Sequence, residues 1–171
     1  MAASKPNNLR STTANVPLDR IDRRLVVALQ NNARISNKEL AEVVGLAPST
    51  CVERLRRLRA RGVLRGFHAD VDLALLGRPT QAIIAVRLRI HSREQIDAFY
   101  GHVLELPESV AVFHVSGADD YIIHVAVRDT EHLRRLVLDE LTARPEVEHV
   151  ETRLIFEYVR KPAVEPLDHA G

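Results

Sequence analysis

Arginine, lysine and hydroxyl side chains are concentrated around one short stretch, 48–65, where their types and spacing suit recognition of nucleic acid. Guanidinium and ammonium groups contact phosphates and guanine edges, and hydroxyls donate to phosphates or bases. Ser49, Thr50 and Arg54, near the start, are predicted to reach base edges, whereas the later arginines suit phosphates. The candidate DNA-contacting residues are Arg34, Lys38, Pro48, Ser49, Thr50, Glu53, Arg54, Arg57, Arg61 and Arg65.

Two other features could carry chemistry, a row of possible metal ligands and a single cysteine, but the sequence favours a chemical role for neither. His68, Asp70 and Asp72 alternate, so a strand would place three metal ligands on one face. No further His or Cys cluster supports a metal, and a solvated polar strand face is commoner, so no metal site is predicted. Cys51 is the only cysteine, which excludes an intrachain disulfide, and it is predicted to be a small buried hydrophobe.

Charge is divided unequally along the chain. The 171 residues have a formal net charge of +1, yet residues 1–66 hold 13 Lys and Arg against 5 acids and the remainder holds 11 against 18. This asymmetry predicts two parts, a basic one that meets a polyanion and an acidic one with another task. The composition, 46% hydrophobic and 27% charged, excludes a disordered chain. No apolar run suits a membrane helix or a secretory signal, so we expect a cytoplasmic protein without a membrane partner.

Three short helices are predicted in the basic half. Apolar residues recur at helical spacing over 19–30, which indicates the first helix. Ser36 and Glu39 have the form of a capping box that starts the second, and Pro48 starts a third that stops at Gly62. Two short helices joined by a Gly-containing turn are the helix-turn-helix pattern, in which the second of the pair enters the DNA major groove.

Strands and helices alternate in the acidic half. The order is β-α-β-β-α-β, so the fold class is α+β, with a ferredoxin-like domain after the helix-turn-helix domain. Such a sheet has helices on one face only, and its apolar strands predict that a second subunit covers the other. The predicted elements are strands at 81–90, 109–116, 121–128 and 150–158 and helices capped by Ser92 and Thr130.

These patterns give a domain organisation. A symmetric dimer suits DNA because paired helix-turn-helix units read two half-sites one helical turn apart. The predicted boundaries are a flexible arm at 1–16, a helix-turn-helix domain at 17–62, a linker strand at 63–79, a ferredoxin-like oligomerisation domain at 80–160, and a flexible tail at 161–171.

Two stretches carry a family resemblance. LDRIDRRLVVALQNNARISNKELAEVVGLAPSTCVERLRRLRARGVLRGFHADVD and VSGADDYIIHVAVRD closely resemble the Lrp/AsnC family of transcriptional regulators, and the similarity extends over about 18–160. The resemblance implies a helix-turn-helix domain and a C-terminal βαββαβ effector domain, known as the RAM domain. It also implies a sequence-specific regulator of amino-acid metabolism that binds double-stranded DNA. Its subunits would form dimers that assemble into tetramers or octamers, and its effector would be an amino acid held between effector domains.

The resemblance also implies an effector site at the turn before the third strand. Backbone amides at a Gly turn can hold a carboxylate, and an aspartate can accept from an ammonium group. Two positions depart from the family pattern: Ala47 stands where a capping Ser is common, and Ala118-Asp119 replaces an acidic and aromatic pair, so the effector is not identified. The implied effector residues are Ser116, Gly117, Ala118, Asp119, Asp120, Thr152 and Leu154.

Two alternatives stay open at this point. A nonspecific architectural DNA protein would share the basic helix but would not prefer one operator. A small-molecule enzyme would share the ferredoxin-like fold. The sequence argues against an enzyme, because His102, His114 and His124 have no Ser, Cys or paired carboxylate at motif spacing and there is no Gly-rich phosphate loop.

Overall fold

The computed structural model describes residues 18–89 and 92–167, which divide into two compact units. Of these described residues, 18–69 and 160–167 belong to the helical unit, and those between Asp70 and Val159 belong to the sheet unit. The predicted arm at 1–16 lies outside the described residues.

Local sequence signals set the three helices of the helical unit. They are α1 at Arg20–Asn31, α2 at Asn37–Val44 and α3 at Pro48–Ala60. The side chain of Asp19 caps α1, and both hydrogen bonds of the predicted capping box are present at the start of α2. Gly45 ends α2 at φ 75°, a left-handed conformation that glycine adopts without steric cost.

The apolar stripes of the three helices meet in one core. Cys51 is fully buried there, as predicted, and burial raises the pKa of its thiol. Arg24 of α1 donates to the backbone carbonyls of Val43 and Val44. These carbonyls at the C-terminus of α2 have no intrahelical donor, so the contact satisfies them and links α2 to α1. The core residues are Leu25, Leu29, Leu40, Ala41, Val44, Cys51, Leu55 and Leu58.

The segment 63–79 contains no strand, so the prediction of a linker strand is wrong for the single chain. A strand is stable only beside another, and no described strand pairs with this segment. It instead bends into a turn in which Asp72 Oδ1 accepts from the amide of Ala74 at 2.8 Å. The alternation that would align His68, Asp70 and Asp72 is therefore missing, and no group of three metal-ligating side chains occurs among the described residues.

The described part of the predicted flexible tail is hydrogen-bonded to α1. Gln30 Nε2 donates to the carbonyl oxygen of Val164 at 3.0 Å, and the amide of Val164 donates back to Gln30 Oε1 at 2.9 Å. The contact joins residues 134 positions apart, which no local pattern encodes. The predicted flexible tail thus contacts α1 at Val164, and its flexibility stays a prediction.

Replacing Gln30 with alanine is expected to release this segment. Both hydrogen bonds are exposed, so their loss should cost about 1 kcal/mol and speed exchange of the Val164 amide by about fivefold. Residue-resolved hydrogen exchange measures this, with Gln95→Ala in the sheet unit as a control. An unchanged rate at Val164 in the Gln30 variant would contradict the contact.

Four antiparallel strands and two helices form the sheet unit in the predicted order. The strand order β2-β3-β1-β4 is that of a ferredoxin-like sheet, which confirms the α+β fold class. The elements are β1 at Thr80–Leu88, α4 at Arg93–Glu105, β2 at Ser109–His114, β3 at Tyr121–Val127, α5 at Thr130–Arg135 with a π-helical continuation at Leu136–Thr142, and β4 at Val147–Leu154.

Two boundaries of the sheet unit differ from the prediction. Asp129, not Thr130, caps α5 by accepting from the amide of His132 at 2.7 Å, and Thr130 is the first helical residue. β4 begins earlier and ends earlier than 150–158, because its pairing with β1 runs from Val147 to Leu154. Tertiary pairing, which the local alternation does not contain, sets these limits.

The two faces of the sheet have different environments. One face packs against the helices and holds the core, in which Phe99 and Tyr121 are fully buried with ring centroids 5.1 Å apart. The other, which we call the open face, carries apolar side chains, and no helix within 18–89 or 92–167 packs on it. Phe113 is paired with Ile122 on this face and is 52% exposed. The apolar residues of the open face are Ile83, Ala85, Phe113 and Ile122, with His124 among them. Glu151 and Arg153, which form an ion pair, lie on the same face along its β4 edge, opposite Ala85 and Ile83.

His124 is the polar exception on the open face. It is buried, its Nε2 is 2.9 Å from Gln81 Oε1, and its ring lies 5.4 Å from that of Tyr158. Burial lowers the pKa of His124 below its ordinary value, so the ring is neutral near pH 7. The open face is consequently uncharged at its centre.

Candidate DNA-binding helix and effector turn

Helix α3 has one buried face and one exposed polar face. Cys51, Leu55 and Leu58 point into the core, and the opposite face exposes hydroxyls and guanidinium groups. Ala47 provides no side-chain cap, as its identity predicts, and Pro48 occupies the first turn. One shallow depression on the exposed face is lined by Ser49, Thr50, Glu53, Arg54 and Arg57.

Arg54 turns toward α1 and is held by two carboxylates. Its Nη1 donates to Asp19 Oδ2 at 2.5 Å and to Asp22 Oδ1 at 2.8 Å. Asp22 is buried, and its other oxygen lies 3.9 Å from Arg61 Nη1. The structure thus places Arg54 where it fixes α3 to α1, rather than on the most exposed part of the face where a base reader was expected.

The electrostatics of this cluster favour the ion pair. Burial alone would raise the pKa of Asp19, but hydrogen bonds from the Asp22 amide and from Arg54 outweigh it and lower the pKa. Hydrogen bonds to Asp19 and Asp22 raise the pKa of Arg54. The Asp19 contribution to stability is present above its unfolded pKa and is lost as the pH falls through its lower folded pKa.

Asp22→Ala is expected to destabilise the helical unit by about 2 kcal/mol, because Arg54 loses a buried charged acceptor. Hydrogen exchange of the α3 amides reports this loss separately from the sheet unit. Asp97→Ala is the matched control, since Asp97 makes only an exposed pair with Arg93 and its loss should change stability by less than about 0.5 kcal/mol. Equal effects of the two variants would contradict an anchoring role for Asp22.

Glu53 sits between two exposed arginines on α3. Its Oε2 accepts from Arg56 Nε at 2.9 Å, and its Oε1 accepts from Arg56 Nη2 at 2.9 Å and from Arg57 Nε at 3.0 Å. These hydrogen bonds, from Arg56 first and then Arg57, lower the pKa of Glu53 to about 2. The carboxylate is therefore ionised near neutral pH and partly neutralises both guanidinium groups.

The remaining predicted DNA-contacting cations flank α3. Arg34 precedes α2, Lys38 lies in its first turn and Arg65 follows α3, and all three are exposed. Arg59 is also exposed, with its guanidinium carbon 5.2 Å from the ring centroid of Phe67. Together with the α3 arginines, these side chains give the helical unit a basic surface around the exposed face of the helix.

The predicted effector turn joins β2 to β3 and is fastened to β1. Gly117 adopts φ 132°, which favours glycine. Arg87 Nε donates to the carbonyl of Ala118 at 2.8 Å, and the amide of Asp120 donates to the carbonyl of Val86 at 2.9 Å. The turn is thus held in place by β1, and Ser116, Gly117 and Ala118 are exposed.

Asp120 has a structural contact that sequence reasoning missed. Its Oδ2 accepts from the amide of Leu88 at 2.8 Å, which satisfies the last backbone donor of β1. Asp119 beside it is half-buried. The conformation that a Gly-Ala-Asp-Asp turn takes depends on β1, so the turn sequence alone does not reveal this hydrogen bond.

The single chain does not bring Thr152 and Leu154 to the effector turn. Thr152 pairs with Ile84 and Leu154 with Ala82, whereas Asp120 bonds to Leu88 at the other end of β1. At about 3.3 Å per residue, Thr152 is displaced by roughly 13 Å along the strand from that end. Both residues are exposed, so they are available to a neighbouring subunit.

Sequence reasoning also missed the roles of Asp22 and Arg56. Asp22 was given no role in the sequence analysis, yet it stands three residues after Asp19, a spacing that places both acids on one side of the α1 N-terminus. The i,i+3 spacing of Glu53 and Arg56 was likewise a readable signal of the ion pair that the structure shows.

In the described residues, no helix is both long and apolar enough to cross a membrane.

The fold and the site together define a class: a helix-turn-helix unit with a basic third helix, attached to a ferredoxin-like α+β unit. Comparison with known families agrees with this class. Residues 18–59 match the AsnC-type helix-turn-helix domain, and residues 81–163 match the Lrp/AsnC ligand binding domain.

Similar proteins include regulators from mycobacteria and a solved structure from Neisseria. The chain is 48% identical over 143 residues to the HTH-type transcriptional regulator AldR of Mycolicibacterium smegmatis, covering 84% of each chain. It is 44% identical over 146 residues to AldR of Mycobacterium tuberculosis, covering 85% of this chain and 82% of that one. A transcriptional regulator from Neisseria meningitidis, solved as an L-Met complex, has a TM-score of 0.82 at 29% identity and covers 90% of this chain and 99% of its own.

The chain therefore belongs to the Lrp/AsnC family of transcriptional regulators, with a DNA-binding helix-turn-helix domain and a ligand-binding domain. The resemblance seen in the sequence is confirmed. These relatives are regulators, which gives the enzyme alternative no support.

Proposed function

We propose that this protein binds specific operators in double-stranded DNA through α3 and that an amino acid bound by the sheet unit modulates this binding. The observation that carries the proposal is the exposed face of α3. It presents hydroxyls at its start and arginines further along, on a helix fixed by a buried core and by the Arg54 ion pairs. Phosphate contacts from Arg34, Lys38 and Arg65 would set the register on the duplex.

Base reading falls to the side chains at the start of α3. Ser49 and Thr50 are exposed, and Pro48 shapes the turn that presents them. Arg57 and Arg61 lie further along and suit phosphates, and Arg54 acts by positioning the helix. This division follows from the observed contacts and refines the expectation that Arg54 itself reaches a base.

The amino-acid site is proposed at the effector turn. Ser116, Gly117 and Ala118 are exposed, and backbone amides of such a turn can hold a carboxylate, while Asp119 and Asp120 supply negative charge for an ammonium group. Thr152 and Leu154 lie too far along the sheet to complete this site in one chain. We infer that they form its second wall from a neighbouring subunit, so the site lies at an interface.

The open face is proposed as the dimer interface, and larger assemblies would be built from this dimer. Phe113, Ile83 and Ile122 form an apolar surface with no helix over it. The neutral state of buried His124 removes the desolvation cost that a charged ring would impose there. The dimer would present two α3 helices to two half-sites.

Binding measurements with the DNA upstream of the protein's own coding region test the proposed function. We expect affinity at least about a thousandfold above that for random duplex, and a change in affinity with at least one of the common amino acids. Equal affinity for both duplexes would favour an architectural DNA protein. Operator preference without any amino-acid response would support DNA recognition by α3 and contradict only the proposed effector site.

A further inference from the structure

Glu53 is placed at the centre of the surface that the proposed function assigns to DNA, where an acidic group opposes phosphate binding. It is 42% exposed as a side chain, and it accepts three hydrogen bonds from Arg56 and Arg57, whose side chains are 71% and 68% exposed. The contact with Arg56 is bidentate, the strongest geometry for a guanidinium and a carboxylate. Two highly exposed cations of α3 are thus already paired within the helix.

This pairing creates a competition on any duplex. Arg56 and Arg57 each keep N–H donors that Glu53 does not use, so a phosphate can approach them while they stay paired, but the carboxylate then lies beside the phosphate and repels it. If a guanidinium turns fully toward the phosphate, the carboxylate faces the DNA without a donor. On random DNA nothing compensates for that loss. At a site where a cytosine amino group lies opposite Glu53 in the major groove, the base supplies the missing donor, since Glu accepts from cytosine N4.

We propose that Glu53 is a specificity-determining residue. Its charge weakens the phosphate contacts of Arg56 and Arg57 on random DNA, and this cost is removed where a cytosine N4 amino group donates a hydrogen bond to the Glu53 carboxylate. This inference rests on the proposed function. It adds one base contact, between Glu53 and cytosine, and one control on phosphate binding, through the pairs of Glu53 with Arg56 and Arg57. Glu53 acts on the ratio of operator to random affinity, more than on operator affinity itself.

Removing the charge of Glu53 has a calculable effect on random DNA. One additional phosphate contact makes the slope of log K against log salt steeper by about 0.9. Between 1 M and 0.1 M salt, the affinity of the variant for random DNA should therefore rise about eightfold more than that of the wild type. Operator binding does not gain equally, because the cytosine contact is lost. The ratio of operator to random affinity is therefore expected to fall by about tenfold or more.

The test compares full-length wild type with Glu53→Gln and with Glu42→Gln on a random duplex and on the operator, across a salt series. Glu42 is exposed on α2, so its variant makes the same change in net charge without releasing an arginine. The double variant Glu53→Gln/Arg56→Gln should return the random-duplex slope to the wild-type value. Circular dichroism checks that each variant is folded. We expect the Glu53 variants to fold, because the Glu53 side chain is partly exposed and is not part of the core.

The outcomes separate this inference from the proposed function. A steeper slope for Glu53→Gln than for Glu42→Gln, reversed in the double variant, supports the inference. Equal slopes for the two single variants, or an unchanged operator-to-random ratio, overturn it. A wild type that prefers no operator contradicts the proposed function instead, and the random-duplex comparison still reports whether Glu53 restrains the arginines.

Discussion

Phe113→Asp is expected to convert the protein to monomers and to weaken operator binding by about 10²–10⁴-fold, the loss that follows when two linked binding units act separately. Phe113 lies on the open face, half exposed and paired with Ile122. A carboxylate there would have to lose its water in a dimer interface without gaining a partner. Sedimentation measures the assembly, and duplex titration measures the affinity.

The control for this variant is Leu104→Asp. Leu104 is an exposed apolar residue of α4, on the helix side of the sheet, so its charge should leave both the assembly and the operator affinity unchanged. If Phe113→Asp sediments like the wild type, the open face is not the dimer interface. If both variants dissociate, the interface includes the helix layer.

Asp120→Asn is expected to abolish the amino-acid effect on DNA binding while leaving the fold and the basal DNA affinity intact. Asparagine keeps an oxygen that can accept from the Leu88 amide, so the end of β1 stays satisfied. It removes the negative charge that would hold an ammonium group. Duplex titrations with and without amino acid, together with thermal unfolding, measure both properties.

Asp120→Ala separates the two roles of this carboxylate. It leaves the Leu88 amide without its acceptor and should lower stability by about 1–3 kcal/mol in addition to removing the response. Asp139→Asn, an exposed carboxylate remote from the turn in sequence, should change neither property. A normal amino-acid response in Asp120→Asn would move the effector site away from this carboxylate.

Elements set by neighbours in sequence were predicted well. The capping box of Ser36 and Glu39 and the termination of α2 at Gly45 depend on contacts within a few residues, and both occur as expected. The order of strands and helices in the sheet unit follows from alternation and turn residues in the same way. The resemblance to the Lrp/AsnC family covered both domains.

Elements set by distant contacts were not predictable from local patterns. The polar alternation after Gly62 has the form of a strand, but no described strand lies beside it. Arg54 looked like a base reader because its acidic partners belong to α1, more than thirty residues away. The bond between Gln30 and Val164 depends on the return of the chain to the helical unit after the last strand.

The central claim is that the exposed face of α3 reads DNA sequence, and selection from a pool of random duplexes by the full-length protein tests it most directly. The account predicts enrichment of a two-fold symmetric sequence with half-sites about 10 base pairs apart. A Ser49→Ala/Thr50→Ala variant should still bind DNA but should select a weaker and altered consensus, because Glu53 remains in place. A pool that remains random after repeated selection, or a consensus unchanged in the variant, would contradict the claim.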